Sequence, residues 1–389
     1  MNTPIKGHCD PKFQTVADRF RDNFEKSGEV GASCLVSIDG KTVVDLWGGY
    51  KDKAKTQEWE ENTLSIVFSC TKAATALCAQ ILIDRGALDL DAPVSRYWPE
   101  FAQNGKEGVS VKMMLGHQSA LPALRGPVKP GGFYDFDYMA ERLAAEEPFW
   151  EPGTDNGYHM LTFGWTVGEM VRRVSGKSLG TFFKDEIADP LGLEFYIGAP
   201  AAAFPRIAPM INANMGPDAL KSEFWQNVFT KPQSISHLAL MNNGGHYHDT
   251  EAAWRAEIGG AGGISNARAI AKMFAPLAQN KDAYLSSARI KDMSGLCAQS
   301  KKDRTLTIPT RFGQGFMLKM DNRTTHPGEG NSLIIGEHAF GHVGAGGSIG
   351  FADPEAGLAF GYTMTQMGAG ILLNPRGQGL VDAVYSALG

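Results

Sequence analysis

The feature that most restricts the fold of this chain is the segment AATALCAQILI at residues 73–83. It contains no charged residue and is apolar nearly all round, which is typical of a helix that is buried on every side. It is too short to span a membrane, which takes roughly 18 consecutive apolar residues, and no other stretch of the 389 residues approaches that length. We therefore expect a helix that is enclosed by a globular protein, and a chain of this length can bury a core around it.

The start of the chain predicts a helix followed by a β-hairpin. Apolar residues recur at helical spacing over about residues 11–27, which predicts an amphipathic helix. Two strand-like runs follow at 31–38 and 41–47, joined by Asp39 and Gly40. Because Asp-Gly between strand-like runs is a strong hairpin signal, we expect these two strands to pair.

The end of the chain predicts strands followed by a helix. The glycine-rich segment 258–265 leads into a predicted helix at 267–278, for which Ser265 is the expected cap. The remaining predicted elements are strands at 316–319, 347–352 and 358–364 and a closing amphipathic helix with Leu380, Val384 and Leu388 on one face. Residues 84 to about 250 instead show short helical patterns and loops rich in Pro and Gly. The pattern indicates one α/β layer built from both ends of the chain, with a helical insertion between them.

Composition excludes several classes of protein. The 37 Lys and Arg residues against 42 Asp and Glu give a net charge of −5, so we expect no binding to nucleic acid. The N-terminal residues lack the basic start and apolar stretch of a secretory signal, which predicts a cytoplasmic protein that does not enter a membrane. The five cysteines are odd in number and form no CxxC pair. We therefore expect reduced thiols, without a disulfide framework or a structural zinc site.

The motif Ser69-Cys-Thr-Lys72 at the start of the buried helix is the first candidate for chemistry. A serine at a helix N-terminus lies in the positive end of the helix dipole, beside free N–H groups that can hold an oxyanion. A lysine three residues later lies on the same face, and burial would lower its pKa so that it can accept a proton. The pattern alone is weak, because chance predicts roughly one S-x-x-K in a chain of this composition, and an ordinary helix cap with a nearby lysine is the alternative.

Three blocks in the same order give this motif a context. The segments 65–101, 150–193 and 340–364 resemble the active-site helix, the tyrosine region and the K-T-G, H-T-G or W-G-G strand of the serine β-lactamase and penicillin-binding protein superfamily. The chain is most similar to class C β-lactamases and the related family VIII carboxylesterases. The resemblance implies a β-lactamase/transpeptidase-like α/β fold, with an antiparallel sheet flanked by the terminal helices. We expect one domain from residues 1–84 and 250–389, a mostly helical domain from 85–249, and the active site in the groove between them.

The resemblance also implies roles for individual residues. Ser69 corresponds to the nucleophile, and Lys72 and Tyr158 to a hydrogen-bonded pair that activates it, without deciding which of the two takes the proton. The backbone N–H groups of Ser69 and Ala345 correspond to the oxyanion hole. The triplet is His342-Val343-Gly344, and no metal or other cofactor is implied.

Two departures from the β-lactamase pattern point to the substrate. Met160 stands where the family often has an Asn that binds the amide of a penicillin, and it offers only apolar contact. In the triplet, His342 is mostly neutral near pH 7 and Val343 has no hydroxyl, so neither is suited to anchor a substrate carboxylate. A site that lacks these donors gains little from a carboxylated substrate.

We therefore expect a serine carboxylesterase that cleaves short-chain acyl esters through an acyl-enzyme. The open alternatives are a β-lactamase, a D,D-peptidase or D-amino-acid peptidase, an acyltransferase, or a non-catalytic scaffold with the same fold. The expected partner is a small-molecule ester, and the sequence leaves the oligomeric state open.

Other motifs invite different interpretations. Ser348 lies in a G-x-S-x-G pattern, but strand-like residues follow it where the nucleophile elbow of α/β-hydrolases needs a helix. The glycines at 259–263 lack the spacing of a dinucleotide loop, so close helix–strand packing is their expected use. The segment 246–249 contains two His and one Asp, but without a third ligand at a recognisable spacing we expect a solvated loop. We expect His117 and His159 to be hydrogen-bonded structural residues, with His159 also bordering the pocket.

Overall fold

The computed structural model describes residues 3–216, 221–326, 328 and 330–389. The strands are short at the sheet edge formed by the C-terminal half and longer at its centre. They are β1 (Ile5–Cys9), β2 (Gly31–Ile38), β3 (Lys41–Gly49), β4 (Ser65–Ile66), β5 (Ile264–Ser265), β6 (Ala298–Ser300), β7 (Thr310–Phe312), β8 (Met317–Leu318), β9 (Phe340–Val343), β10 (Ile349–Asp353) and β11 (Leu358–Met364).

Within the described residues, nine strands form one antiparallel sheet in the order β1-β3-β2-β11-β10-β9-β8-β7-β6. Its centre joins the two ends of the chain, because β2 pairs with β11 along its length, from Ile38 with Leu358 to Ala32 with Met364. The predicted hairpin at 31–38 and 41–47 is confirmed, with two further residues in its second strand. β4 and β5 form a separate two-stranded ladder next to the buried helix.

The α-helices lie at both ends of the chain, in the long segment between β4 and β5, and between β5 and β6. They are α1 (Gln14–Lys26), α2 (Thr71–Asp84), α3 (Val111–Leu115), α4 (Phe136–Ala145), α5 (Thr162–Ser175), α6 (Leu179–Phe183), α7 (Asp189–Leu191), α8 (Glu223–Thr230), α9 (Ile235–Met241), α10 (Glu251–Arg255), α11 (Ala267–Ala278), α12 (Ser287–Met293) and α13 (Pro375–Leu388). None of the helices in the described ranges is long and apolar enough to cross a membrane.

The sheet is covered on both faces. The terminal helices α1 and α13 pack on each other and bury Phe20 and Leu380 in one core cluster with β-strand residues. Helix α11 lies on the opposite face against β10 and β11. It approaches closely because Gly361 has no side chain: a Cβ there would lie 2.2 Å from the carbonyl oxygen of Ala267. The predicted α/β layer built from both chain ends is thus confirmed.

Helix α2 confirms the expectation from its apolar sequence. It runs from Thr71 to Asp84, and every residue from Thr71 to Leu82 is buried. Helix α5 is among its neighbours in the segment between β4 and β5. Burying each large apolar side chain contributes about 1.5–3 kcal/mol to the stability of the fold. This helix is therefore rigid and holds the residues of its first turn in place.

Two predictions about local structure are wrong in detail. The cap of α11 is Asn266, whose side chain accepts a hydrogen bond from Ala269 N–H, whereas the Ser265 hydroxyl in β5 donates to Glu194 O. The strand predicted from residue 347 begins only at Ile349, because residues 345–347 form a 3₁₀ turn in which Gly347 has a φ of 116°. Only glycine adopts such a backbone readily.

Candidate active site

Ser69 lies at the turn between β4 and α2 and is half-buried. The residue before it, Phe68, has a φ of 43°, which is uncommon for a residue with a side chain. This left-handed residue turns the chain from the strand into the helix, and Lys72 N–H then donates to Ser69 O at 3.0 Å. The Ser69 side chain is therefore placed at the positive end of a fully buried helix.

Lys72 is completely buried, and its amine has three partners. Nζ lies 2.9 Å from Ser69 Oγ, 2.5 Å from Met160 O and 2.6 Å from Gly260 O. Burial lowers the pKa of Lys72 well below its usual range, because the charged form loses its hydration. A neutral amine gives its two N–H groups to the two carbonyls, and its lone pair then faces the Ser69 hydroxyl.

Tyr158 is also buried and lies beside Lys72 and His342. Its ring stacks on Phe312 with the two planes 3° apart, and its hydroxyl lies 3.5 Å from His342 Nε2. Burial raises the pKa of Tyr158, and a hydrogen bond with Ser69 acts in the opposite direction. The expected direct pair of Lys72 and Tyr158 is corrected here: among the hydrogen bonds of the described residues none joins them, and Nζ lies over the tyrosine ring, 4.8 Å from its centroid, and contacts Ser69 Oγ instead.

The predicted triplet ends strand β9 beside the nucleophile turn. His342 and Val343 are both buried, and His342 Nδ1 donates to Val343 O at 2.7 Å. Burial lowers the pKa of His342 to about 3, so the ring is neutral. Gly344 must lack a side chain, because a Cβ there would lie 2.3 Å from Val67 O and 2.2 Å from Ser348 Oγ.

Within the described residues, the two backbone N–H groups that are expected to form the oxyanion hole do not donate to other backbone groups. Among the hydrogen bonds of the described residues, none uses the N–H of Ser69 or the N–H of Ala345. Ala345 is exposed and directly follows Gly344, which packs against the segment before Ser69. Free N–H groups next to a nucleophile are what an oxyanion hole requires.

His159 and Met160, which follow Tyr158 in the chain, both make internal hydrogen bonds. The His159 ring is fully buried, its Nε2 accepts from Leu121 N–H at 3.1 Å and lies 2.9 Å from Ser119 Oγ, and its Nδ1 lies 3.3 Å from His117 Nδ1. Because all its polar contacts are internal, His159 supports the 117–121 loop, and its place at the border of the pocket stays a prediction. Met160 contributes its backbone carbonyl to Lys72 as well as its side chain.

The glycine-rich segment has a use that the sequence revealed only in part. Gly260 O holds Lys72, and Gly259 O accepts from Thr75 Oγ at 2.8 Å. A Cβ on Gly164 of α5 would lie 2.1 Å from Gly260 N, so the expected close packing is present. The additional contact to Lys72 had no signal in the sequence, since it is made by a backbone atom.

Ser348 and the histidine-containing segment lie outside the Ser69 cluster. The Ser348 hydroxyl is buried and donates to Val67 O at 3.0 Å, and strand β10 follows it, as the sequence suggests. His248 Nε2 lies 3.7 Å from Asp249 Oδ2, and its ring packs edge-on against Phe68. Over the ranges that the structure describes, no group of three or more His, Cys, Asp or Glu side chains could hold a metal ion.

Sequence reasoning missed Asp303, which lies beneath Tyr158. Its carboxylate accepts from Tyr158 N–H at 3.0 Å and is fully buried. A single aspartate between charged residues carries no local pattern, so only the folded structure reveals this contact.

The chain is similar to known proteins in sequence and in fold. The family model described as Beta-lactamase matches residues 16–376. The esterase/β-lactamase LipL of Mycobacterium tuberculosis (strain ATCC 25618 / H37Rv) is 35% identical over 375 residues, which cover 92% of this chain and 82% of LipL. The crystal structure of a family VIII carboxylesterase is similar with a TM-score of 0.87 and 36% identity, covering 99% of this chain and 100% of that one. A penicillin-binding protein homologue from Caulobacter crescentus gives a TM-score of 0.85 and 32% identity over 99% of this chain and 100% of its own.

Proposed function

The chain belongs to the beta-lactamase family, and from that membership we propose that it is a serine carboxylesterase. The β-lactamase/transpeptidase-like fold that the sequence predicts is confirmed by the same comparisons. It cleaves short-chain acyl esters through an acyl-enzyme on Ser69. The observation that carries the proposal is the position of the buried Lys72 amine, which donates to two backbone carbonyls and lies 2.9 Å from Ser69 Oγ. The names of LipL and of the family VIII carboxylesterase support the choice of ester as the substrate class.

The chemistry follows from the protonation states. Lys72 is neutral because burial lowers its pKa, and Tyr158 keeps its proton because burial raises its pKa. Lys72 therefore takes the proton as Ser69 Oγ bonds to the ester carbonyl carbon, and the N–H groups of Ser69 and Ala345 hold the oxyanion. When the alkoxide leaves, the Lys72 ammonium gives that proton to it, and an acyl-Ser69 ester remains. The Tyr158 hydroxyl keeps its own proton and donates a hydrogen bond to the reacting oxygen. Water then attacks this ester with Lys72 again as the base, which releases the acid and restores Ser69.

The site is proposed to lie between two domains. Ser69, Lys72 and His342 belong to the domain of residues 1–84 and 250–389, and Tyr158 belongs to the helical domain of residues 85–249. The 3.5 Å distance between the Tyr158 hydroxyl and His342 Nε2 supports a site where the two segments meet. A cytoplasmic location and a reaction without a cofactor stay predictions from the sequence.

An activated ester tests the proposal directly. Rapid mixing of the protein with p-nitrophenyl butyrate should release a burst of nitrophenol equal to the enzyme concentration, and mass spectrometry should find the acyl group on Ser69. A chromogenic cephalosporin run in parallel should be turned over far more slowly. Preference for the cephalosporin would favour the β-lactamase alternative. Absence of any acyl group on Ser69 would reject the proposal of an acyl-enzyme on this serine.

The pH profile should report the state of Lys72. Since the neutral amine is the active form and burial lowers its pKa well below the usual range of about 10.4, kcat/KM should reach its plateau well below pH 10.4 and stay level up to pH 10. It should fall only on the acid side, as the amine gains a proton. Initial rates at constant ionic strength measure this profile, and a kcat/KM that keeps rising up to pH 10 would show a lysine with an ordinary pKa.

The triplet should control preference for carboxylated substrates. We expect the double substitution His342→Lys with Val343→Thr to raise kcat/KM for a cephalosporin relative to p-nitrophenyl butyrate by about 10- to 100-fold. A charge-assisted hydrogen bond to the substrate carboxylate contributes about 1.5–3 kcal/mol. The single variant Val343→Thr is the control and should change the ratio by less than about fivefold. An unchanged ratio in a folded double mutant that still cleaves the ester would show that the triplet does not set specificity.

A further inference from the structure

The carboxylate of Asp303 joins two loops of the site. It is fully buried, and its own backbone closes a tight turn in which Asp303 N–H donates to Ile308 O at 2.9 Å and Thr307 N–H donates to Asp303 O at 2.8 Å. The carboxylate oxygens accept from five groups on both loops: Tyr158 N–H at 3.0 Å, Asn156 Nδ2 at 3.2 Å, Thr305 N–H at 2.8 Å, Leu306 N–H at 2.8 Å and Thr310 Oγ at 3.2 Å.

These donors are all neutral. Among the described residues, no Lys, Arg or His side chain forms an ion pair with Asp303. Burial raises the pKa of Asp303 to about 6, against the donors, which favour the charged form. An amide in its place would offer one acceptor oxygen and turn an NH₂ group toward backbone N–H groups, so the donor cage fits a carboxylate and not an asparagine.

The same segment holds Tyr158 at two points. Asp303 accepts from the Tyr158 backbone N–H with both oxygens, and Phe312, nine residues along, stacks on the Tyr158 ring. Between these two contacts the tyrosine has little freedom: its hydroxyl lies 3.5 Å from His342 Nε2, and a hydrogen bond with Ser69 lowers its pKa. A shift of about 1 Å in a catalytic group can cost about 100-fold in rate.

We propose that Asp303 is a positioning residue of the active site, whose carboxylate fixes the backbone of Tyr158 and thereby aims the phenol at Ser69. The proposal rests on the function proposed above only in assigning Ser69 as the nucleophile. It requires Asp303 to act through Tyr158, so replacing Asp303 should matter only while the Tyr158 hydroxyl is present.

A double-mutant cycle tests this requirement. Asp303→Asn should lower kcat for p-nitrophenyl butyrate by about 10- to 100-fold with KM within about threefold. In a Tyr158→Phe background, the same substitution should change kcat by less than about twofold. Asp321→Asn, which alters an aspartate on the surface paired with Arg323, is the matched control and should leave kcat unchanged. Equal losses from Asp303→Asn in both backgrounds would overturn the proposal.

A milder variant covers the case in which Asp303→Asn does not fold. Thr310→Val keeps the shape of the cage and removes one donor to Asp303 together with the acceptor of Asn156 Nδ2, another donor to Asp303, so it should lower kcat by about 3- to 10-fold, and again not in Tyr158→Phe. Thermal denaturation and circular dichroism check that each variant is folded. A Thr310→Val loss that persists in Tyr158→Phe would count against the proposal as well.

A second readout separates this inference from the proposed substrate. The rate at which a fluorophosphonate labels Ser69, followed by mass spectrometry, reports activation of the serine without an ester. If esters are not hydrolysed but labelling slows in Asp303→Asn only when Tyr158 is present, the ester function fails and the positioning role holds. If the unaltered protein is not labelled at Ser69, both are overturned.

Discussion

Ser69→Ala is expected to abolish ester hydrolysis, with a loss of roughly 10⁵-fold or more in kcat. The alanine leaves the helix and both oxyanion N–H groups in place but removes the hydroxyl that lies 2.9 Å from Lys72 Nζ and whose hydrogen bonding lowers the pKa of Tyr158. The measurement is steady-state hydrolysis of p-nitrophenyl butyrate together with intact-protein mass spectrometry, which should show no acyl adduct.

Ser348→Ala is the control for this experiment. Its hydroxyl is buried on Val67 O, so its loss should lower the free energy of unfolding by about 1 kcal/mol and leave kcat within about tenfold. Substantial activity in Ser69→Ala, or its disappearance in a folded Ser348→Ala, would move the nucleophile to a different serine.

Lys72→Met and Tyr158→Phe should each lower kcat by about 10² to 10⁴-fold. The two substitutions keep the side-chain shapes, so the ring at position 158 would still stack on Phe312 and the apolar stem at position 72 would still fill its place. Because both residues contact the same serine oxygen, the double mutant should be scarcely slower than the worse single mutant.

Lys106→Met is the matched control for the lysine. Lys106 is as buried as Lys72 and likewise donates to two carbonyls, but these belong to Gln103 and Glu146, away from Ser69. Its replacement should leave kcat within about twofold. Losses in Lys72→Met and Tyr158→Phe that multiply in the double mutant would show that the two residues act independently.

The sequence predicts the helices and strands near the two ends of the chain well, because the patterns that indicate them are local. The strand 358–364 and the helix 267–278 have the bounds that were expected. Strand β1 was missed since its three central residues are exposed and it shows no alternation. Strands β6 and β7 were missed since each has only three residues.

The candidate site divides in the same way. Ser69 and Lys72 are three residues apart on one helix turn, and Tyr158 lies in a block that resembles a known family. The sequence could not predict the roles of Gly260 O and Asp303. Gly260 contributes only a backbone atom, and the role of Asp303 depends on donors at residues 156–158 and within its own loop. Contacts across long separations leave no periodicity in a single sequence.

The pairing of β2 with β11 has a consequence for how the protein is made. Ile38 pairs with Leu358, which is synthesised roughly 320 residues later. At a synthesis rate of about 5–20 residues per second, the first hairpin leaves the ribosome about 15–60 s before its central partner strand exists. During that time the edge of β2 exposes unpaired N–H and C=O groups, a template for aggregation. The sheet can close only after β11 has been synthesised, so the yield of active protein in a cell depends on keeping this edge covered until then, for example by a chaperone.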